Sequence, residues 1–500
     1  LKLREIANLF MIKETQGNMD VDITGLQMDS RKIEQGNLFV CVPAIEGFLE
    51  DRHLFAAEAI KNGAVALVVE RDVDINVPKL FVKDARRAMA VIASHFYNYP
   101  SDEMKLIGIT GTNGKTTTSF IIENIFSDYG FNTGLMGNNG VKIAQQMYPT
   151  DINTQEPPIL QANLRKMRDY NTDYCVMEVS SQGLDMGRVT GCNFRTAVFT
   201  NLTQDHLDYH HSFDEYKDAK GLLFSKLGNS FTGKDMKYAI LNADDSHFEY
   251  FKKVTSAEII TYGINNQSDV TAKSIRMTSQ GIHFLLNTFK GYVELDLQLI
   301  GRFNVYNALA GIAAALVEGI PLESIKRSLS QIKSIDGRME IIDEGQDFLV
   351  LVDYAHTPDA LENVLKTVKE FAESNVITVF GCGGDRDKAK RSIMGEIASN
   401  YSNFVVITSD NPRSEDPLKI IDDIEKGLKK MDFSNYEVLV NREESIKRAI
   451  NMANSKDVVI IAGKGHETYQ ILEDKTIGFD DRVIARNYLF NSMVNLSNEF

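Results

Sequence analysis

Apolar runs of strand length, separated by polar or glycine-rich turns, recur along the whole chain. Near the start they are LFVCVPA at 38–44, VALVVE at 65–70 and KLFVKD at 79–84. The stretch DARRAMAVIASHFYNYP has apolar positions at helical spacing and predicts a helix closed by Pro100. Ser101-Asp102-Glu103 then reads as a linker. A new pattern opens at Lys105, where LIGIT predicts a buried strand, GTNGKT a turn and TTSFIIENIFSDYG an amphipathic helix. Further strands are YCVMEVS at 174–180, TAVFTNL at 196–202 and YAILNA at 238–243. A more alternating β section covers 258–300, and GRFNVYNALAGIAAALVEG predicts a packed helix with small residues on one face. From 335 onward the strands are FLVLVDY at 348–354, NVITVFG at 375–381, FVVITSD at 404–410 and VVIIAGKG at 458–465. Each is a continuous apolar run ending in polar residues or glycine, with helical patterns between. That is the signature of a parallel sheet covered on both faces, where ligands bind beyond the C-terminal strand ends.

The expected fold is therefore α/β in three units, 1–100, 101–334 and 335–500. The 500-residue length agrees, at roughly 100–200 residues per domain. A chain that is 43% hydrophobic and 25% charged is not broadly disordered. Its 54 Lys+Arg against 69 Asp+Glu leave a net charge of -15. That argues against a nucleic-acid or anionic-membrane binder, while leaving room for a local basic pocket. No apolar stretch approaches the ~20 residues of a spanning helix, and LKLREIANLFMIKETQG has no signal-peptide core, so no stable membrane insertion is expected. Cys41, Cys175, Cys192 and Cys382 are scattered, without a zinc or disulfide framework, which fits a reducing cytoplasm.

The strongest motif is Thr110-Gly111-Thr112-Asn113-Gly114-Lys115-Thr116-Thr117, after a strand and before a helix. Glycines let backbone amides turn toward an anion, and a helix N-terminus adds positive potential. Lys115 would neutralise β/γ-phosphate charge and Thr116 would face Mg²⁺. The general phosphate-loop pattern needs glycine at 109, where this chain has Ile109, so generic kinase or GTPase readings weaken.

TGTNGKTT resembles the phosphate loop of the Mur ligases. Further blocks agree with that family: Asp29-Ser30-Arg31, MEVSSQGLDMGRV (177–189), TNLTQDHLDYH (200–210), YKDAKGLLF (216–224), GRFNVYNALA (301–310), GRME (337–340), VDYAHTPDAL (352–361), FGCGGDRDKAKR (380–391), DNPRSEDP (410–417) and AGKGHETYQ (462–470). The resemblance implies a uridine-binding N-terminal unit, a central phosphate-loop ATPase unit with a mostly parallel sheet, and a Rossmann-like C-terminal unit that takes the amino acid. It implies an ATP- and Mg²⁺-dependent amide ligase, expected as a cytoplasmic monomer. Such an enzyme joins meso-2,6-diaminopimelate to UDP-N-acetylmuramoyl-L-alanyl-D-glutamate through an acyl-phosphate. The alternatives are a lysine-adding version of the same ligase and folylpolyglutamate synthetase. The second lacks the N-terminal block and the DNPR sequence.

Residue roles follow from the same resemblance. The ATP site would comprise the loop from Gly111 to Thr117 together with Asn304, Asn307, Arg338, Asp353 and His356. Catalysis would fall to Lys115, Glu178, His206 and Lys220, with Thr116, Glu178, His206 and a carbamylated Lys220 around the metal. On the residues alone, YKDAKGLLF reads as an exposed helix with lysines, and the two asparagines read equally as helix caps or solvated side chains. Ser30, Asn153, Thr154, Ser180 and Arg188 match the nucleotide-sugar site. Asn153-Thr154-Gln155-Glu156-Pro157 and Gln182 depart from the family's usual loop and histidine but keep hydrogen-bonding ability. Asp410, Asn411, Pro412 and Arg413 resemble the diaminopimelate motif, with Arg386, Gly463 and Glu467 as the remaining contacts. Arg413 would meet the distal carboxylate that lysine lacks, and Glu467 the distal ammonium.

Overall fold

The computed structural model describes the chain except residues 151, 206–208, 230–234, 279, 474 and 499–500, and the side chains of 492–498. Three principal sheets follow one another. The first has the order Glu14–Gln16, Lys79–Phe81, Ala66–Val69, Asn37–Val40, Gly25–Gln27, and only Glu14–Gln16 runs antiparallel. The three runs expected as strands are its interior. Both edges are short and carry no continuous apolar run, so the sequence pattern did not announce them.

The helix after this sheet spans Ala85–Phe96 and ends short of Pro100 because Asn98 and Tyr99 take left-handed backbone angles, φ 59° and 46°. The expected linker is instead docked. Pro100–Asp102 forms a 3₁₀ turn, Ser101 is buried, and its hydroxyl accepts from Asn193 N at 3.2 Å. Asn193 Nδ2 also donates to Asp102 at 3.0 Å.

The second sheet has eleven strands. Its parallel centre places Lys105–Thr110 between Phe194–Phe199 and Tyr174–Glu178. The 258–300 section extends it through Glu258–Gly263, paired parallel on both sides, and then Val270–Thr278, Gly281–Thr288 and Gly291–Leu297, paired antiparallel to one another in turn. On one face the helices Lys115–Tyr129 and Arg302–Val317 pack over Ile107, Ile109, Val176 and Val198. Gly311 permits their close approach, since a Cβ there would lie 2.5 Å from Ile121 Cγ2. The third sheet has the order Glu340–Ile342, Leu349–Asp353, Val458–Ala462, Val376–Phe380, Phe404–Ile407, Tyr436–Val438, parallel except for the first strand. All four expected strands are present, because runs buried on both faces leave a strong sequence signal. Behind it Arg442 and Asp481 form a fully buried ion pair at 2.7 Å.

Candidate active site

The loop after Lys105–Thr110 turns through Gly111 (φ 151°) and Gly114 (φ 84°) into the helix that begins at Lys115. The adjoining strand end fixes its shape. Asn201 Oδ1 accepts from Asn113 N at 2.9 Å, Asn201 O accepts from Thr112 N at 2.8 Å, and Thr200 Oγ1 donates to Asn113 O at 2.7 Å. Thr112 Oγ1 lies 2.9 Å from the Tyr216 hydroxyl. A Cβ on Gly111 would sit 1.9 Å from Thr200 Oγ1, and one on Gly114 2.4 Å from Asn307 Oδ1. Thr200, Asn201 and Tyr216 thus mould the loop. They lay inside the recognised sequence blocks, but only their side-chain partners disclose this role.

Two lysines meet at one carbonyl. Lys115 Nζ donates to Gly111 O at 2.9 Å and Thr112 O at 2.8 Å, and Lys220 Nζ donates to Gly111 O at 2.9 Å. Lys220 is 1% exposed, so the expectation of an exposed helix is wrong. The helix Phe213–Ser225 turns it inward over the Tyr216 ring, 4.5 Å from the centroid. Burial, and then the neighbouring Lys115, pull the pKa of Lys220 well below the ordinary lysine value; Asp205 works against them. Burial likewise lowers the pKa of Lys115, opposed by Glu178 and Asp205 and reinforced by Arg338.

Glu178 ends its strand 1% exposed and accepts from Asn138 N at 2.9 Å. Gly137 makes room for it, since a Cβ there would lie 2.3 Å from Glu178 Oε1. Thr154 Oγ1 donates to Glu178 O at 3.1 Å and accepts from Ser180 N at 2.9 Å. Ser180 caps the next helix by accepting from Gly183 N at 3.0 Å. Arg188 Nε donates to Glu156 at 2.8 Å and Nη1 to Thr154 O at 3.2 Å. Asn153 is half-buried in the same loop, while Ser30 stands in the first unit, donating to Glu58 at 2.8 Å. His206 falls outside the described residues.

The asparagines are neither caps nor solvated. Asn304 and Asn307 are 2% and 5% exposed. Asn307 Nδ2 donates to Asn304 Oδ1 at 3.0 Å, Asn304 Nδ2 to Ile300 O at 2.7 Å, and Thr118 Oγ1 to Asn307 Oδ1 at 3.3 Å. They back the loop at Gly114. Thr116 and Thr117 are buried in the first helical turn, where Arg338 Nη2 donates to Thr116 Oγ1 at 3.1 Å. Arg338 also lies over the Tyr354 ring at 4.6 Å. Asp353 accepts from Met339 N at 2.7 Å and Ala355 N at 2.8 Å, and burial raises its pKa against the pull of Arg338. His356 is exposed beside them, with Nδ1 2.8 Å from Tyr354 O. Asp359 adds a contact not foreseen in the sequence, accepting from Asn113 Nδ2 at 2.5 Å and Thr203 Oγ1 at 3.1 Å. Residues of the third sheet's unit therefore close over the loop of the second.

A second cluster lies beyond the third sheet's strand ends. Asp410 and Asn411 are buried, and Asn411 Nδ2 donates to Glu467 at 2.9 Å. Lys464, fully buried, donates to Glu467 at 2.9 Å and to Asn411 Oδ1 at 3.1 Å. Gly463 allows the turn, since a Cβ there would lie 2.7 Å from Asp410 Oδ2. Arg413 Nη1 donates to Gly384 O at 2.8 Å, and a Cβ on Gly383 would lie 3.0 Å from Arg413 Nη1 and 3.8 Å from Arg386 Cγ. The carbonyl of Pro412 packs on Gly384. Arg413 and Arg386 thus adjoin each other at Gly383, while Glu467 is held by Asn411 and Lys464. Asn138 Nδ2 and His466 Nε2, 3.2 Å apart, connect the 463–467 turn to the Glu178 side.

Residues 109–315 match the family model of the Mur ligase middle domain, and 337–465 that of the Mur ligase glutamate ligase domain. A curated relative, UDP-N-acetylmuramoyl-L-alanyl-D-glutamate–2,6-diaminopimelate ligase of Geobacillus thermodenitrificans, is 51% identical over 93% of this chain and 94% of its own. A solved structure of a ligase with that name superposes with TM-score 0.68 at 32% identity, covering 99% of each chain. Folylpolyglutamate synthase of Mycobacterium tuberculosis, complexed with ADP and AMPPCP, is similar in fold (TM-score 0.62, 16% identity) over 76% of this chain and 92% of its own.

Proposed function

The chain belongs to the Mur ligase family, and from that premise we propose that it is the ATP-dependent ligase joining meso-2,6-diaminopimelate to UDP-N-acetylmuramoyl-L-alanyl-D-glutamate in peptidoglycan precursor synthesis. The three units proposed at 1–100, 101–334 and 335–500 would bind the UDP-linked acceptor, ATP and the amino acid respectively. The protein works in the cytoplasm as a monomer. Among the described residues no helix is long and apolar enough to cross a membrane.

A free carboxylate and an amine do not condense efficiently in water, so the acceptor carboxylate first takes the γ-phosphoryl group of ATP and the amine then displaces phosphate. Both partners in the first step are anions, and the enzyme's task is neutralisation and alignment. Lys115, at the helix N-terminus, and Arg338, reaching Thr116 from the other unit, bring positive charge to the loop mouth. Thr200 and Asn201 fix the loop's path by engaging the Asn113 carbonyl and the Thr112 and Asn113 amides. Arg413 receives the distal carboxylate of diaminopimelate and Glu467 the distal ammonium, leaving the other amine free to attack.

Mg²⁺ fits the donor set, because Glu178 is a buried carboxylate at the strand end beside the loop and Thr116 offers a hydroxyl. Glu178, Thr116, His206 and a carbamylated Lys220 would hold it, and it would supply charge neutralisation at the phosphoryl group. Carbamylation needs a neutral amine, which the lowered pKa of Lys220 favours.

The observation that carries this reading is the meeting of Lys115 and Lys220 on Gly111 O, one strand from Glu178. Its test is ATP hydrolysis measured with and without the UDP-linked dipeptide, across a panel of amino acids. Hydrolysis and amide formation should need both the dipeptide and diaminopimelate. Preference for L-lysine, or hydrolysis indifferent to the dipeptide, would refute the assignment.

A further inference from the structure

Where the helix Ala85–Phe96 of the first unit meets the central unit, one side chain is poorly explained by folding alone. Arg86 has Nε, Nη1 and Nη2 all buried, and none of them makes a hydrogen bond among the described residues. The nearest carboxylate oxygen, Glu156 Oε2, is 3.6 Å away and is itself buried without a hydrogen bond. The other oxygen of Glu156 is taken by Arg188 at 2.8 Å. Two guanidiniums therefore share one carboxylate, leaving an excess positive charge in a buried place. Burial, and then Arg188, disfavour the charge on Arg86, with Glu156 opposing. A guanidinium carries five donors in a fixed fork, and burying them unpaired is costly unless a second anion completes the site.

Arg86 and Arg188 stand beside the loop that carries Thr154 and Glu156. Arg188 also donates to Thr154 O, and Thr154 bonds the backbone of Glu178 and Ser180. The pair of arginines thus adjoins the strand end that carries Glu178. Tyr209, whose hydroxyl donates to Asp185 at 2.6 Å, packs edge-on against Phe48 of the first unit at 4.8 Å and closes another side. Asp84 turns instead to cap Arg87 N at 2.8 Å.

We propose that Arg86 is a substrate-binding residue, pairing with Arg188 to seat an oxyanion of the UDP-linked acceptor, either its diphosphate or a carboxylate. Glu156 occupies the seat until that anion arrives. This assignment rests on the proposed function, and it gives the first unit a charged hold on the substrate in addition to Ser30.

Calorimetric titration of the full chain with UDP-N-acetylmuramoyl-L-alanyl-D-glutamate, with UDP and with a non-hydrolysable ATP analogue tests it in wild type, Arg86→Met and Arg86→Lys. Arg86→Met should weaken acceptor binding about tenfold or more, as loss of a charge-assisted pair does. Arg86→Lys keeps charge and stem and should lose less. Binding of the ATP analogue should stay at the wild-type value in both, and steady-state KM for the acceptor should rise far more than kcat falls. Weakened UDP binding would identify the diphosphate as the seated group, and unchanged UDP binding a carboxylate. Acceptor affinity within twofold of wild type in both variants, or parallel loss of ATP-analogue binding, would make Arg86 a packing residue of the interface and overturn the proposal. A wild-type chain that does not bind the acceptor would remove the proposed function itself, and the seat with it.

Discussion

Lys220 gives the sharpest test of the chemistry. An ordinary lysine, with a pKa near 10.4, keeps only about one amine in a thousand neutral at pH 7.4. Each unit by which burial lowers that pKa raises the neutral, CO₂-reactive fraction tenfold. Lys220 is 1% exposed, donates to Gly111 O at 2.9 Å, and is depressed by burial and by Lys115. With ¹³C-bicarbonate, wild type should show a carbamate resonance at pH 7.5–8.5 that fades as the pH falls, because protonation removes the reactive form. The resonance should vanish in Lys220→Ala. Losing a preorganised charge-bearing group costs on the order of 10²–10³ in kcat, so amide formation should fall by that much and recover in part with short carboxylic acids. The variant should stay folded but lose stability, since a hydrogen bond of roughly 1 kcal/mol, the Tyr216 contact and the packing of a buried stem are lost while a repulsion with Lys115 is relieved. A carbamate signal of undiminished strength in Lys220→Ala, or wild-type turnover by that variant, would refute the reasoning.

Other expectations concern specificity and stability. Arg413→Ala should raise KM for diaminopimelate so that kcat/KM drops about 10–150-fold, with ATP binding unchanged, as initial rates at varied amino acid would report. Gly311→Val places a side chain where a Cβ already meets Ile121 Cγ2 at 2.5 Å; overpacking of about 1–3 kcal/mol should lower the thermal midpoint in calorimetry. Asp481→Ala strands the buried Arg442 guanidinium and should destabilise by about 3–5 kcal/mol, seen as an earlier urea transition of the C-terminal unit.

Much of this protein was legible in its residues because local physics wrote it there. Strands buried on both faces must be continuous apolar runs, and the four interior strands of the third sheet read out directly, while its two edge strands did not. The loop from Gly111 to Lys115 was equally plain, since a strand-to-helix turn around an anion demands glycine at those backbone angles. Tertiary structure decided what depends on partners distant in the chain. Lys220 looked exposed in its own helix and is buried by contact with a loop 109 positions away. Asn307 looked like a cap and instead backs Gly114, because Gly311 lets two helices touch. Arg86 carried no signal at all, since its buried guanidinium, without a hydrogen bond among the described residues, exists only where the first unit meets Glu156 and Arg188. Periodicity and turn chemistry are local in sequence, whereas burial of a charge and the identity of its neighbours are set only when separate units pack together.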